Sequence, residues 1–247
     1  MRYGILGTAL GLFIAFSGVA SAEEGSGPLD EAGCAKWRGA KTVAIDEKYV
    51  AKLEAKAEKP VEGVEYSSDK LALLMYKDPE TAKSILEGDR NNVQKTKAGL
   101  VDLSGYTFNG ANLSGFNLDR VDLNGAEFEG ANLSGATLRG ADLSKASMES
   151  VNLQGADLTD ASAYKAELMG ANLSYANMSF ANLEKTNLES ADLCMATLAS
   201  ANLTSVELNN AYIKKANFDK AKEIPKKIHT HADHLFVFGL PVPSWDK

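Results

Sequence analysis

The feature that most constrains this chain is a five-residue repeat that runs without interruption through its second half. A large apolar residue, most often leucine, stands at every fifth position from Leu103 to Phe218, and Ala163 is the one small exception. Alanine usually comes two residues earlier, as it does in 131–133. A period of five matches neither the 3.6-residue turn of an α-helix nor the simple alternation of a β-strand.

Each five-residue unit has an inner and an outer side. The alanine and the large residue are two positions apart, so they lie on one face of an extended segment. The other three residues are polar or small, and Gly, Ser and Asn, which favour turns, often follow the large residue. The pattern predicts a chain that turns a corner after every unit and keeps the alanine and the large residue inside.

The tandem pattern A(D/N)Lxx resembles the pentapeptide-repeat family over residues 101–220, about half of the chain. The resemblance implies a mainly β fold, a right-handed quadrilateral β-helix in which four pentapeptides form one coil. The 24 units would then give six coils of 20 residues. At the strand spacing of about 4.8 Å these coils form a rod roughly 29 Å tall.

Large side chains at the small inner position indicate where the rod begins. The small inner position holds Val101, Tyr106 and Phe116 in the first coil, whereas later coils have alanine almost throughout. In the middle of the rod a larger side chain at this position would clash with the neighbouring coil. The large residues of the first coil therefore indicate that one side of this coil faces a cap and not another coil. We expect residues 23–100 to supply this cap and to cover the open strand edge.

The expected N-terminal cap contains helix signals. Asp78-Pro79 is typical of a helix start, and Gly88 of its end. Ser68 is a candidate N-cap for an earlier short helix, and residues 46–58 favour a third helix. The sequence therefore predicts a small α-helical N-terminal region before the repeats.

Residues 1–22 have the three parts of a secretory signal. Arg2 supplies the positive start, residues 4–16 are apolar but too short to span a bilayer, and 20–22 form a small-residue cleavage site. We expect export to the periplasm or the thylakoid lumen, with no membrane insertion of the mature chain. The formal charge of −7 favours solubility and argues against nucleic-acid binding.

Residues 221–247 contain several prolines and predict an irregular C-terminal cap. All three histidines lie there, at His229, His231 and His234, with Asp233 among them. Imidazoles at this spacing suit Zn²⁺ or Cu²⁺. The alternative is a polar linker into the cap, with no cofactor.

Twenty-residue spacing places outward residues in vertical columns, one per coil. One face is uncharged over four coils, and we call it the asparagine face after its column: Asn112, Asn132, Asn152 and Asn172. Higher on the same side, Tyr175 lies directly beneath Met195. This surface either docks a protein partner or only forms hydrogen bonds along the stack.

Three lysines stand at a single corner, one per coil, and we call them the lysine column: Lys145, Lys165 and Lys185. Like charges stacked at this spacing repel unless they are paired. The column therefore either holds an anion or pairs with nearby glutamates such as Glu149 and Glu184.

Two cysteines, Cys34 and Cys194, are too few for a disulfide framework. In an oxidising compartment they can form one disulfide. Two separate thiols are the alternative.

No catalytic motif is present, and neither cysteine has an evident base beside it in sequence. The leading hypothesis is an exported, non-catalytic structural or protein-interaction scaffold whose partner is unknown. The second is a metal-binding exported protein that uses the histidines. The third, implied by some family members, is a DNA-mimic inhibitor of gyrase-like enzymes, and export opposes it. So does the net charge of −7 over residues 101–220, because B-DNA has roughly 17 charges over the same height.

Overall fold

The computed structural model describes residue 34 and residues 43–59, 61–88 and 90–225. Three helices, which we call the N-terminal cap, precede the repeats: α1 Glu47–Ala57, α2 Ser68–Lys77 and α3 Pro79–Glu87. A 3-10 turn follows at Arg90–Asn92. The repeats begin with β1 Val101–Asp102, which pairs in parallel with β2 Val121–Asp122. The proposed signal at 1–22 and the chain beyond Pro225 lie outside the described residues.

The first residue of each helix is set by a side chain that accepts a backbone hydrogen bond. Asp46 accepts from two amides at the start of α1, and Asp78 accepts from the amide of Thr81 in α3. For α2 the N-cap is Ser67, whose backbone is extended and whose hydroxyl accepts from the amide of Lys70 at 3.2 Å. The sequence-based candidate, Ser68, is one residue too late because it already lies inside the helix.

The repeats stack in parallel with a period of 20 residues. Asn112 pairs with Asn132, Asn132 with Asn152, and the same spacing holds in every column up to Asn202 and Lys222. We call each 20-residue stretch a coil, counted from Val101. Backbone hydrogen bonds join each coil to the next throughout the stack. Most extended segments form only one paired position, because a turn interrupts each of them after a few residues.

Every coil bends at four corners, and we use the word corner for every fifth residue starting at Gly105. Most corner residues have a φ near +60°, a conformation that glycine adopts without steric cost. Glycine occupies one column of corners in the first three coils, at Gly115, Gly135 and Gly155. Other residues replace it higher up.

The large residue of each unit is buried in the core of the rod, as Leu153 and Leu173 illustrate with no exposed surface. Ala163 is the smallest residue in this series. Thr186 lies beside it at the small inner position of a later unit, fully buried, and its hydroxyl donates to the Ala163 carbonyl at 2.7 Å. The hydroxyl is therefore satisfied in the core, as buried polar groups need to be.

The N-terminal cap continues the core of the rod. The rings of Tyr49, Tyr76, Phe108 and Phe128 follow one another with centroid separations of 6.4, 6.1 and 5.2 Å. The Tyr76 hydroxyl donates to the carbonyl of Thr107 at 2.7 Å. The Tyr76 ring of α2 therefore stacks on Phe108 of the first coil, where the strand edge would otherwise be open, and Tyr49 of α1 packs edge-on against Tyr76.

Candidate interaction surfaces

The asparagine face is a ladder of side-chain hydrogen bonds. The amide of Asn132 donates to Asn112 at 3.1 Å, Asn152 donates to Asn132 at 3.1 Å, and Asn172 donates to Asn152 at 3.0 Å. Each asparagine oxygen also accepts a backbone amide two residues later, as in Ser134 at 3.2 Å. The asparagine side chains are therefore hydrogen-bonded to one another along the stack.

The part of this face in the fourth and fifth coils is not open to solvent. Cys34 lies there, joined by a disulfide to Cys194 of the fifth coil with the Cα atoms 5.9 Å apart. Both cysteines are buried, and so are Asn172, Ser174 and Asp192 nearby. Of the two alternatives for the cysteines, the structure has the disulfide. Asn172 is thus not accessible to a docked protein, unlike the exposed Asn112.

Exposed apolar side chains stand at the corners on either side of the next face, which includes residues 176–179 and 196–199. Tyr175 and Met195 are 39% and 36% exposed, and Phe180 at the following corner is 63% exposed. We call these three residues the corner patch. The outward residues between them are uncharged: Asn177, Ser179, Thr197 and Ala199.

Sequence reasoning identified Tyr175 and Met195 but missed Phe180. The signal was available, because position 180 is a corner where other coils have polar residues or glycine: Arg120, Gly140, Asp160, Ser200 and Lys220. An aromatic ring at such a position has no core to enter.

Two residues of the lysine column contact the ring of Tyr164, which the sequence analysis did not identify. The ammonium groups of Lys165 and Lys185 lie 5.3 and 5.4 Å from the ring centroid of Tyr164. Lys185 also forms an ion pair with Glu184 at 3.2 Å. The hydrogen bond to Glu184, and then the one to Tyr164, raises the pKa of Lys185. Two of the three lysines therefore have partners within the protein, which weakens the anion-binding alternative.

A column of stacked carboxylates is a second feature that the sequence analysis overlooked. Asp102, Asp122 and Asp142 are paired in register, one in each of the first three coils. Partial burial raises the pKa of Asp122, and the neighbouring carboxylates of Asp142 and Asp102 raise it further. The amide of Asn124 donates to Asp122 at 3.0 Å and offsets part of this effect.

A cleft of about 340 Å³ lies where the N-terminal cap meets the first coil. The guanidinium of Arg90 lines it and donates to the carbonyls of Leu86, Asn117 and Asp119 and to the Asn117 side chain. These contacts occupy the guanidinium with structural hydrogen bonds. Arg90 therefore links the end of α3 to the first coil through these hydrogen bonds, and the cleft lies at that junction.

The predicted metal ligands, His229, His231 and His234, lie outside the described residues. Within the part of the chain that the structure describes, no group of three or more His, Cys, Asp or Glu side chains is arranged to hold a metal ion. In that same part, none of the helices has the length and apolar character needed to cross a bilayer.

The 20-residue parallel stack with an apolar core defines a repeat solenoid. The family model for pentapeptide repeats matches residues 102–140, 126–162, 152–189 and 181–219, with eight copies. The chain is a pentapeptide-repeat protein. A comparison with curated proteins found no match.

Solved structures of pentapeptide-repeat proteins resemble this chain. One, from the thylakoid lumen of Arabidopsis thaliana, is 26% identical over 50% of this chain and 70% of its own, with a TM-score of 0.33. Rfr23 from the cyanobacterium Cyanothece 51142 is 31% identical over 49% and 89%, with a TM-score of 0.29. HetL from Nostoc sp. strain PCC 7120, involved in heterocyst differentiation regulation, is 28% identical over 49% and 73%, with a TM-score of 0.19.

Proposed function

We propose that the repeats wind as a right-handed quadrilateral β-helix of six coils, closed at its start by a small helical cap. The 20-residue parallel pairing and the four bends in each period support this architecture. Right-handed winding agrees with the general preference of parallel crossovers. We extend the proposal to an irregular C-terminal cap within residues 221–247.

We propose that the protein is a non-catalytic protein-interaction scaffold, and the corner patch is the observation that carries this proposal. A side chain at a left-handed corner costs about 1–2 kcal/mol relative to glycine. Tyr175, Phe180 and Met195 stand at such corners, with φ of 62°, 62° and 61°. They contribute little to the core because they are exposed.

An exposed apolar side chain in a strained backbone conformation does not stabilise the fold. Residues that break local rules in this way are typical of functional surfaces. The outward residues on the face between these corners are uncharged, so a partner that docks on that face buries apolar surface there without desolvating a charge at those positions. A protein surface with apolar or aromatic residues fits these requirements best.

Export to an oxidising compartment, the periplasm or the thylakoid lumen, is part of the same proposal. The Cys34–Cys194 disulfide supports it, because such bonds form and persist in oxidising compartments. The signal-like pattern of residues 1–22 supports it independently.

Site-specific photo-crosslinking in intact cells tests the interaction proposal. A benzophenone amino acid replaces Phe180 in one variant and Ser205 in the other, a corner with a similar φ outside the patch. We expect one discrete adduct with another protein from position 180 and none from position 205. Equal labelling at both positions, or no adduct from 180, would contradict a docking role for the patch.

Metal binding through His229, His231 and His234 remains the second candidate function, favoured by the spacing of the imidazoles. We expect the mature protein to bind one Zn²⁺ or Cu²⁺ and the triple alanine variant to bind none. Titration followed by metal analysis measures this. If the wild-type protein retains no metal after gel filtration, the candidate is removed.

A further inference from the structure

The methionines that the structure describes form two groups by exposure. Met75, Met148 and Met178 are buried, with at most 2% of their surface exposed. Met169 and Met195 are 39% and 36% exposed. A small oxidant in solution therefore reaches the side chains of the exposed pair directly, whereas it reaches the buried three only after local opening of the core.

The exposed methionines have no thiol to compete with them for an oxidant. The chain contains two cysteines, Cys34 and Cys194, and both belong to the disulfide. The thiolate, which is the usual target of peroxides in proteins, is therefore absent from the folded protein. The thioethers of Met169 and Met195 are the accessible sulfur groups in the described part of the chain.

Met195 lies in apolar surroundings on the surface of the rod. It stands one coil above Tyr175 in the same column of corners, and the two residues have φ values of 61° and 62°. The Tyr175 amide donates to the carbonyl of Cys194 at 2.9 Å, so the two side chains start about 4.8 Å apart. Methionine sulfur packs favourably on an aromatic ring at about 5 Å. A polar group on Met195 would therefore lie within the corner patch itself.

Met169 has a similar exposure but different surroundings, which makes it a matched control. In its column it lies one coil above Glu149 and one coil below Glu189. These carboxylates belong to a face that lies outside the corner patch. Oxidation of Met169 therefore adds a polar group where the surface is already charged.

We propose that Met195 is an oxidation site that converts the corner patch from an apolar to a polar surface. The proposal rests on the interaction function proposed for this patch. Methionine sulfoxide replaces a flexible apolar side chain with a polar one. A partner that covers the sulfoxide oxygen without donating a hydrogen bond leaves a buried acceptor unsatisfied, which weakens docking. Docking at the patch thus depends on the level of oxidant around the protein.

The oxidant in this reaction is a peroxide, in the simplest case hydrogen peroxide. A lone pair of the Met195 sulfur attacks one peroxide oxygen, so that an S–O bond forms and the O–O bond breaks. The sulfur loses two electrons, and the peroxide is reduced by two. The second oxygen takes the proton of the transferred hydroxyl and leaves as water. The products are methionine sulfoxide and water, with no net gain or loss of protons.

Oxidation rates at individual methionines test the first part of the proposal. The purified protein is labelled with ¹³C-methyl methionine and treated with hydrogen peroxide, and nuclear magnetic resonance follows each methyl signal. We expect Met195 and Met169 to be converted about tenfold faster, or more, than Met148 and Met178. Conversion of Met195 at the rate of Met178 would overturn the proposal.

Photo-crosslinking from position 180 tests the effect on docking. The purified benzophenone variant is oxidised at a peroxide dose that leaves Met178 unmodified, and catalase then removes the peroxide. The protein is crosslinked in a cell-envelope extract that has not met the oxidant. We expect oxidation to lower the adduct yield about fivefold or more. Met195→Leu in the same background should abolish this loss, and Met169→Leu should leave it intact.

The outcomes separate this inference from the proposed function. Equal adduct yields before and after verified oxidation of Met195 would overturn the inference alone. A loss that persists in Met195→Leu would do the same, because the relevant oxidation would then lie elsewhere. Absence of the adduct before oxidation would overturn the interaction function, and the inference would fall with it.

Discussion

The left-handed corners distinguish residues that the fold needs from residues that it only tolerates. Gly115, Gly135 and Gly155 turn the chain without steric cost. Tyr175 and Met195 occupy the same column of corners and accept the cost of a Cβ in this conformation. Folding alone favours glycine at these two positions.

Replacing Phe180 by glycine tests this view. We expect the free energy of unfolding to stay within about 1 kcal/mol of wild type, because relief of corner strain offsets the extra entropy of glycine in the unfolded state. Denaturant titration measures the change. As the matched control, Phe128→Ala in the core should cost about 3–5 kcal/mol. A loss of that size at position 180 would show that its ring supports the fold.

The column of stacked carboxylates at Asp102, Asp122 and Asp142 makes the stability of the protein depend on pH. Asp122 has a raised pKa in the folded protein, so the folded state binds its proton more tightly than the unfolded state does. The resulting stabilisation is present at low pH and is lost as the pH rises from about 4, the unfolded value, through the raised value.

Asp122→Asn should remove this dependence. At pH 7 we expect the variant to be more stable than wild type by on the order of 0.5 kcal/mol, because stacked like charges disappear. Near pH 3 the two proteins should unfold at similar temperatures. Thermal unfolding across this pH range measures both values. Asp157→Asn is the control, since Asp157 pairs with Thr137 and Asn177 in its column and should show no such gain. Lower stability of Asp122→Asn at pH 7 would contradict the account.

At the scale of elements, the helices of the N-terminal cap show when local sequence signals are sufficient to predict where a helix begins and ends. Asp78, Pro79 and Gly88 predict the ends of α3, which occupies Pro79–Glu87. For α2, two adjacent serines compete for the cap position. Only the backbone conformation decides between them, since Ser67 is extended and Ser68 is helical.

A pair of alanine substitutions tests the cap assignment. Ser67→Ala removes the acceptor for the Lys70 amide and should cost about 1 kcal/mol. Ser68→Ala removes a buried hydroxyl that has no hydrogen-bond partner, so it should be neutral or stabilising. Urea unfolding of both variants measures the difference. The reverse order of effects would place the N-cap at Ser68.

At the scale of the whole molecule, the five-residue period determines which residues face inward. It predicts the buried series that includes Leu153 and Leu173, because this series depends only on alternation within each unit. The sequence could not decide whether Cys34 pairs with Cys194. The two are 160 residues apart, and no periodic signal reaches Cys34.

Contacts between neighbouring columns were also beyond the sequence analysis. Tyr164 meets Lys185 only because consecutive coils bring their corner and face together. The 20-residue spacing relates only residues that lie directly above one another, so it does not predict contacts between residues of two adjacent columns. The exposure of Phe180 follows from the corner geometry in the same way.

The central claim is that the chain advances by one strand spacing for every 20 residues. Pairs of spin labels in a single outward column, measured by double electron–electron resonance, test it most directly. Each pair shares Thr204, and its second label stands at Ser144, Asn124 or Ser104. We expect separations of about 14, 19 and 24 Å, an increment of about 4.8 Å per coil. Distances that fail to rise in equal steps, or a last separation well beyond about 30 Å, would contradict the stacked coil.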